Sequence, residues 1–184
     1  LPEGDAFHAI GGDNEMISAM IADGYTGDKG LGGFYMTGDD GTELARPLSG
    51  AGEGLKAPRA RDKALPDSAI RAADAAASRG EPLLEIIAGN DDCARFCRRV
   101  LARVLSYAAS LVPEVTSSPQ DIDDAMKLGF NWQRGPFEMI DAIGHERMAE
   151  LFAEAGVEIP AVLTEGGEFY RAEGRTLEVR HAGG

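Results

Sequence analysis

The stretch from Asn90 to Pro113 constrains the fold most. Its apolar residues Phe96, Val100, Leu101, Val104, Leu105, Ala108, Leu111 and Val112 recur at intervals of three and four, which sets them on one face of a helix. Asn90 or Asp91 can cap its start, and Pro113 ends it. A long helix with one apolar face needs other elements to cover that face, so the expected architecture is mainly helical.

The following residues supply the covering helices. Ser118, Pro119 and Asp121 give a cap, a first-turn proline and first-turn acid, opening a helix that turns Ile122, Ala125 and Met126 inward and closes at Gly129. A second start falls at Gly135-Pro136-Phe137, with Ile140 and Asp141 on the next turn and Gly144 as terminator. A third helix runs from His145 to Ala155 on Met148, Leu151 and Phe152, and Gly156 stops it. Three short helices are expected behind the long one. Beyond them Phe169-Tyr170-Arg171 and Thr176-Leu177-Glu178-Val179 flank Glu173-Gly174 and read as a β-hairpin.

Upstream the pattern is looser. Met16, Ile17, Met20 and Ile21 make one short helical face, stopped by Gly24, and a glycine-rich run leads into the strand-like Phe34-Tyr35-Met36 and a turn at Asp39-Asp40-Gly41. From 46 to 80 large apolar residues are scarce, so this stretch is expected to be a linker with a short alanine-rich helix at about 67 to 78. The expected organisation is therefore 1–45, a linker over 46–80, and a helical domain over 81–184. Gly32-Gly33-Phe34-Tyr35 before the turn at Asp40-Gly41 repeats as Gly166-Gly167-Glu168-Phe169-Tyr170 before Glu173-Gly174. A spacing of about 135 residues suits tandem domains, with 1–45 as the tail of a first copy.

Composition narrows the function classes. A net charge of -13 and a pI near 4.6 disfavour nucleic acid and anionic membranes, both of which need a basic face. No apolar run approaches a membrane span and the first residues carry no signal-peptide pattern, so a cytoplasmic protein is expected. A first residue other than methionine points to a segment of something longer. Cys93 and Cys97, four apart on a helix, read as small buried hydrophobes, and His8, His145 and His181 lack ligand spacing, so no metal site is expected. Asp121, Asp123 and Asp124 read as acids complementing a helix dipole. Glu138 reads as structural, Asp141 as a bond to backbone groups at a neighbouring helix start, and His145 as a cap-region side chain. Lys29 and its glycines have the composition of a weak phosphate loop.

The segment Ser117 to Gly144, SSPQDIDDAMKLGFNWQRGPFEMIDAIG, resembles the C-terminal helical domain of 3-hydroxyacyl-CoA dehydrogenases, and Gly24 to Tyr35, GYTGDKGLGGFY, resembles the closure of the same domain. The resemblance implies an all-α, mainly helical fold like the C-terminal domain of 6-phosphogluconate dehydrogenase, with a short terminal β-hairpin. It further implies an NAD-dependent parent enzyme of fatty-acid beta-oxidation, an upstream NAD-binding domain as partner and an acyl-CoA substrate. A homodimer is expected on other grounds: Met16, Ile17, Met20, Ile21, Phe34 and Tyr35 form an apolar surface suited to packing against a second molecule. The order of closure, linker and second domain is similar to long members with two helical repeats. Two departures stand out: Gly166 to Tyr170 lacks the lysine-glycine element, and Phe130-Asn131-Trp132-Gln133-Arg134 replaces a smaller run. On this reading Asn131, Trp132, Gly135, Pro136 and Phe137 are the substrate-proximal residues.

A dinucleotide loop needs Gly-x-Gly-x-x-Gly between a strand and a helix. Gly30-Leu31-Gly32-Gly33 leads into a strand, and Gly50-Ala51-Gly52-Glu53-Gly54 sits in the linker, so neither is expected to hold NAD. The family's catalytic histidine and glutamate belong to the upstream domain, and no residue here matches their motif. No catalytic, cofactor-binding or metal residue is therefore expected in this chain. The alternative is an independent helical interaction or dimerisation module; a preceding reading frame carrying the dinucleotide fingerprint favours the enzyme part over it.

Overall fold

The computed structural model describes residues 3–5, 8, 14–50, 52–173 and 176–182. The chain divides into two compact units, Leu1–Ala64 and Leu65–Gly184.

In the first unit, Asn14 caps helix α1 (Glu15–Ala22) by accepting from the Ile17 N–H at 3.2 Å. An antiparallel sheet follows, β1 (Tyr35–Thr37), β2 (Glu43–Ala45) and β3 (Arg59–Ala60) in that order, with Tyr35 opposite Ala45 and Leu44 opposite Ala60. The Asp39 to Gly41 turn closes β1 on β2, with the Gly38 N–H donating to the Thr42 carbonyl at 2.8 Å and Gly41 at φ 81°. Helix, glycine loop, strand and turn lie where the sequence predicts them. Strands β2 and β3 were not expected, and they change the boundary. Arg46 is buried, donates to the Lys56 carbonyl at 2.6 Å and lies 4.2 Å over the Tyr25 ring, so residues beyond 45 build this unit. They order through main-chain pairing and polar bonds, which an apolar count does not register.

The second unit contains α2 (Asp67–Ala77), α3 (Pro82–Ala88), α4 (Asp92–Ser110), α5 (Pro119–Phe130), α6 (Pro136–Ile143), α7 (His145–Ala155), α8 (Ala161–Thr164) and the hairpin β4 (Tyr170–Glu173) with β5 (Thr176–Val179). It is mainly helical with a short hairpin near its end. The expected alanine-rich helix is α2, but it packs on α3 and is no linker element. Asp91 joins it to the core: one carboxylate caps α4 through the Ala94 N–H at 2.9 Å and accepts from Ser68 N–H and hydroxyl, both at 2.8 Å. The unit thus begins at Leu65, not at residue 81.

Those hydrogen bonds, Ala94 first and Ser68 next, hold the Asp91 carboxyl down to about 2. A lowered carboxylate pKa contributes stability above the ordinary carboxylate range and loses it as pH falls through the lowered value. Denaturation of the Asp91→Asn variant should therefore lose less stability than the parent as pH falls from about 4 to about 2. Parallel acid denaturation curves for the two proteins would contradict the assignment.

Around α4 the packing differs from expectation. Its buried face is Ala94, Ala102, Leu105, Ala108 and Ala109, while Phe96 is 67% exposed and Val100 and Val104 also lie on the open side. The intervals of three and four describe two adjacent stripes, and the alanine stripe wins the core because small side chains let neighbouring helices approach closely. Leu105, Ala109 and Val112 meet Phe137 and Ile140 of α6, Met148, Leu151 and Phe152 of α7, and Phe169 ahead of β4. Helix α5 packs on α6 and ends at Asn131 in the left-handed conformation, φ 55°, where Gly129 was the expected stop. Asn is the residue after Gly that tolerates that geometry best. The expected hairpin is present, with Tyr170 opposite Val179; Gly174, expected in its turn, lies outside the described residues.

Candidate functional site

Three aspartates were expected to serve the start of α5, but Asp123 does something else. Its side chain is fully buried, and it accepts from the Phe137 N–H at 2.8 Å, the Glu138 N–H at 3.0 Å and the Tyr170 hydroxyl at 2.8 Å. One carboxylate on α5 thereby satisfies the first turn of α6 and holds the hairpin. The role expected of Asp141, bonding a neighbouring helix start, belongs to Asp123. Asp141 instead accepts from the backbone of the hairpin, Phe169 N–H at 2.9 Å and Tyr170 N–H at 2.8 Å. Burial raises both carboxyls, and burial together with the bond to Asp123 raises Tyr170.

The surrounding residues complete this closure. Glu138 accepts from the Gly135 N–H at 3.0 Å, the half of a capping box that a glycine N-cap leaves available, while its own N–H goes to Asp123, and it receives Lys127 at 2.7 Å, which keeps the ammonium charged. Phe169 is fully buried edge-on to Phe137, ring centres 4.7 Å apart, beneath the Arg180 guanidinium at 4.2 Å. A Cβ at Gly135 would lie 2.2 Å from the Asp123 carboxyl carbon, so only glycine fits there. Gly135→Ala should destabilise the second unit by about 2–4 kcal/mol through displacement of Asp123, measured by chemical denaturation. An unchanged midpoint would contradict the close approach.

Of the five residues named substrate-proximal, three belong to this interior: Gly135, Pro136 and Phe137 are buried, and Phe137 exposes no surface at all. Asn131 is exposed and Trp132 half-buried at the end of α5, where Arg134 pairs with Glu81. Only Asn131 and Trp132 thus reach the surface. His145 opens α7 without capping it; its Nε2 is buried with no partner among the described residues, near the Phe169 ring. The thiols of Cys93 and Cys97 are half-buried and free, not fully buried as expected, and burial raises Cys97. No group of three or more metal-ligating side chains occurs among the described residues, and none of their helices is long and apolar enough to cross a membrane.

Lys29 is exposed, and the glycines beside it have a backbone explanation. A Cβ on Gly30 would meet Thr26 Oγ1 at 2.4 Å and the Gly24 carbonyl at 2.5 Å, so the loop folds tightly on itself. This run, Gly30 to Gly33, opens no helix; it leads into β1, and Gly32 bridges back to Gly27. That geometry does not fit a dinucleotide pyrophosphate, which sits where a glycine loop enters a helix. The strongest polar constellation missed in the sequence is Asp123 with Tyr170. Its visible signal was the repeated Phe-Tyr after paired glycines, which marks a closure point without naming its acceptor.

Fold and site together describe a helical domain whose buried carboxylates bind its own elements to one another. Residues 96–174 match the family model described as 3-hydroxyacyl-CoA dehydrogenase, C-terminal domain, and this part of the chain belongs to that family. A probable 3-hydroxyacyl-CoA dehydrogenase of Bacillus subtilis (strain 168) is 32% identical over 167 residues, 88% of this chain and 20% of the relative. Putative fatty acid oxidation complex trifunctional enzymes of Rickettsia prowazekii and Rickettsia felis are 28% and 29% identical, each over 76% of this chain and 18% of their own length. The chain therefore spans about a fifth of the length of the curated relatives it matches. No solved structure gives a significant match.

Proposed function

We propose that this chain is the C-terminal helical part of an NAD-dependent enzyme that oxidises 3-hydroxyacyl-CoA to 3-oxoacyl-CoA in fatty-acid beta-oxidation. The observation that carries this reading is the similarity to the Bacillus subtilis relative, which extends over 88% of the chain and includes both units. In the parent the chain supplies assembly surface and one wall of the acyl-CoA cleft and no catalytic group. The internal bonding of Asp123, Asp141, Glu138 and Tyr170 supports that division, because a general base has to reach a substrate proton. Asn131 and Trp132 are the two candidate residues left at the surface to meet an acyl-CoA, while Gly135, Pro136 and Phe137 hold them from behind. NAD belongs to an upstream domain, and residues 1–45 end a first helical copy that precedes the second. The open stripe of Phe96, Val100 and Val104 on α4 favours a second reading, an interaction or dimerisation module.

Calorimetry with NADH and an absorbance assay with 3-hydroxyacyl-CoA test the proposal. The chain alone should show neither binding nor turnover, and a longer protein containing it should show both. Micromolar NADH affinity in the chain alone would overturn the division of labour, and a longer protein without dehydrogenase activity would overturn the function.

A further inference from the structure

The two units contain hairpins built to the same plan. In the first, the Arg46 N–H donates to the Phe34 carbonyl at 2.7 Å and Tyr35 faces Ala45; in the second, the Arg180 N–H donates to the Phe169 carbonyl at 2.9 Å and Tyr170 faces Val179. Each follows a glycine pair, and each arginine lies 4.2 Å over an aromatic ring of its own unit.

Their surroundings are opposite. Phe169 is fully buried, and both its N–H and that of Tyr170 donate to Asp141 while the Tyr170 hydroxyl donates to Asp123. The Arg46–Phe34 and Gly38–Thr42 bonds make Tyr35 and Ala45 a non-hydrogen-bonded pair, so the Tyr35 N–H points away from β2, and among the described residues neither it, the Phe34 N–H nor the Tyr35 hydroxyl has a hydrogen-bond acceptor. Tyr35 is 66% exposed, β1 is an edge strand, and beside it an apolar groove of about 490 Å³ is lined by Ile17, Met20, Ile21, Tyr25 and Phe34. An edge with three unanswered donors beside an open apolar groove lacks its counterpart.

We propose that the Phe34-Tyr35 hairpin docks on a helical body presenting two aspartate or glutamate carboxylates. One accepts from the Phe34 and Tyr35 N–H groups, the other accepts the Tyr35 hydroxyl, and apolar side chains of the same body fill the groove. The occupant is a segment preceding Leu1 in the longer protein, since the relatives have about four-fifths of their length outside the matched region and the helical body of the second unit already holds its own hairpin. The inference rests on reading residues 1–45 as the end of a first helical copy and adds the chemistry of what that end fastens to.

Hydrogen–deuterium exchange on the longer protein and on this 184-residue chain tests it. The Phe34 and Tyr35 amides should exchange about 100-fold more slowly in the longer protein than in this chain, as buried bonded amides do. Equal rates in the two proteins overturn the docking. Slowing within the 184-residue chain that grows with its concentration overturns the chosen occupant in favour of a second copy. Tyr35→Phe, which removes only the hydroxyl, should speed exchange at Phe34 in the longer protein several-fold and leave Phe169 unchanged; no change at Phe34 overturns the second carboxylate. Dehydrogenase activity of the same longer protein separates the two readings: activity with unprotected amides defeats the docking alone, and absence of activity defeats the proposed function whatever the exchange shows.

Discussion

Replacing Asp123 with alanine is expected to remove about 3–5 kcal/mol from the stability of the second unit, one of the two largest single-residue effects in the chain. The carboxylate is fully buried and answers three donors, Phe137 N–H, Glu138 N–H and the Tyr170 hydroxyl. Alanine leaves all three without their acceptor, the Phe137 N–H in the buried interior and the Glu138 N–H and Tyr170 hydroxyl partly buried, and an unsatisfied buried donor costs about 1–3 kcal/mol. The losses share one site and do not add fully. Asp123→Asn keeps one acceptor oxygen and should fall between parent and alanine. Urea or guanidinium denaturation followed by helical circular dichroism measures the series; an alanine variant within about 1 kcal/mol of the parent would mean that the closure is not held by this carboxylate.

Phe169→Ala should cost a similar amount, about 3–5 kcal/mol, for a different reason. The ring exposes no surface, packs edge-on against Phe137 at 4.7 Å and carries the Arg180 guanidinium at 4.2 Å. Its removal leaves a cavity between α6 and the hairpin and takes with it the ring contacts on both sides. The equivalent change in the first unit, Phe34→Ala, should cost under about 1 kcal/mol in this chain, since Phe34 is 36% exposed. Thermal melts of the two variants against the parent decide it. Equal losses would mean that the two hairpins are not in opposite states of burial.

The long helix, the three helices after it and the terminal hairpin were legible because each announces itself locally. Pro119 and Pro136 sit in first turns, Gly144 and Gly156 end helices, and Asp91 caps α4. What the sequence hid was the choice between equivalent local patterns. Phe96 and Val100 satisfy helical spacing as well as Ala102 and Ala109 do, and only the approach of α6 and α7 makes the alanines the buried set. Helix α2 looked like part of a linker because its attachment is polar, through Ser68 to Asp91. The candidate site is subject to the same choice. Gly135, Pro136 and Phe137 carry a helix-start signal that gives no depth, and the structure buries all three. Asp123 was assigned to its own helix because dipole complementation is a local rule; its partners Phe137 and Tyr170 come from later elements. Within the first unit, β3 pairs through backbone groups that carry no side-chain signature.

The capture of the hairpin by Asp141 and Asp123 also bears on the order in which the second unit assembles. Contacts within and between successive helices close short loops and form early, whereas Phe169 and Tyr170 meet acceptors contributed by α5 and α6 far back along the chain. A transition state dominated by the helices would leave those bonds unmade, so weakening them would hasten unfolding and leave the folding rate nearly untouched. The carboxylates then act on residence time: they set how long the finished domain lasts, and the helices set how quickly it appears.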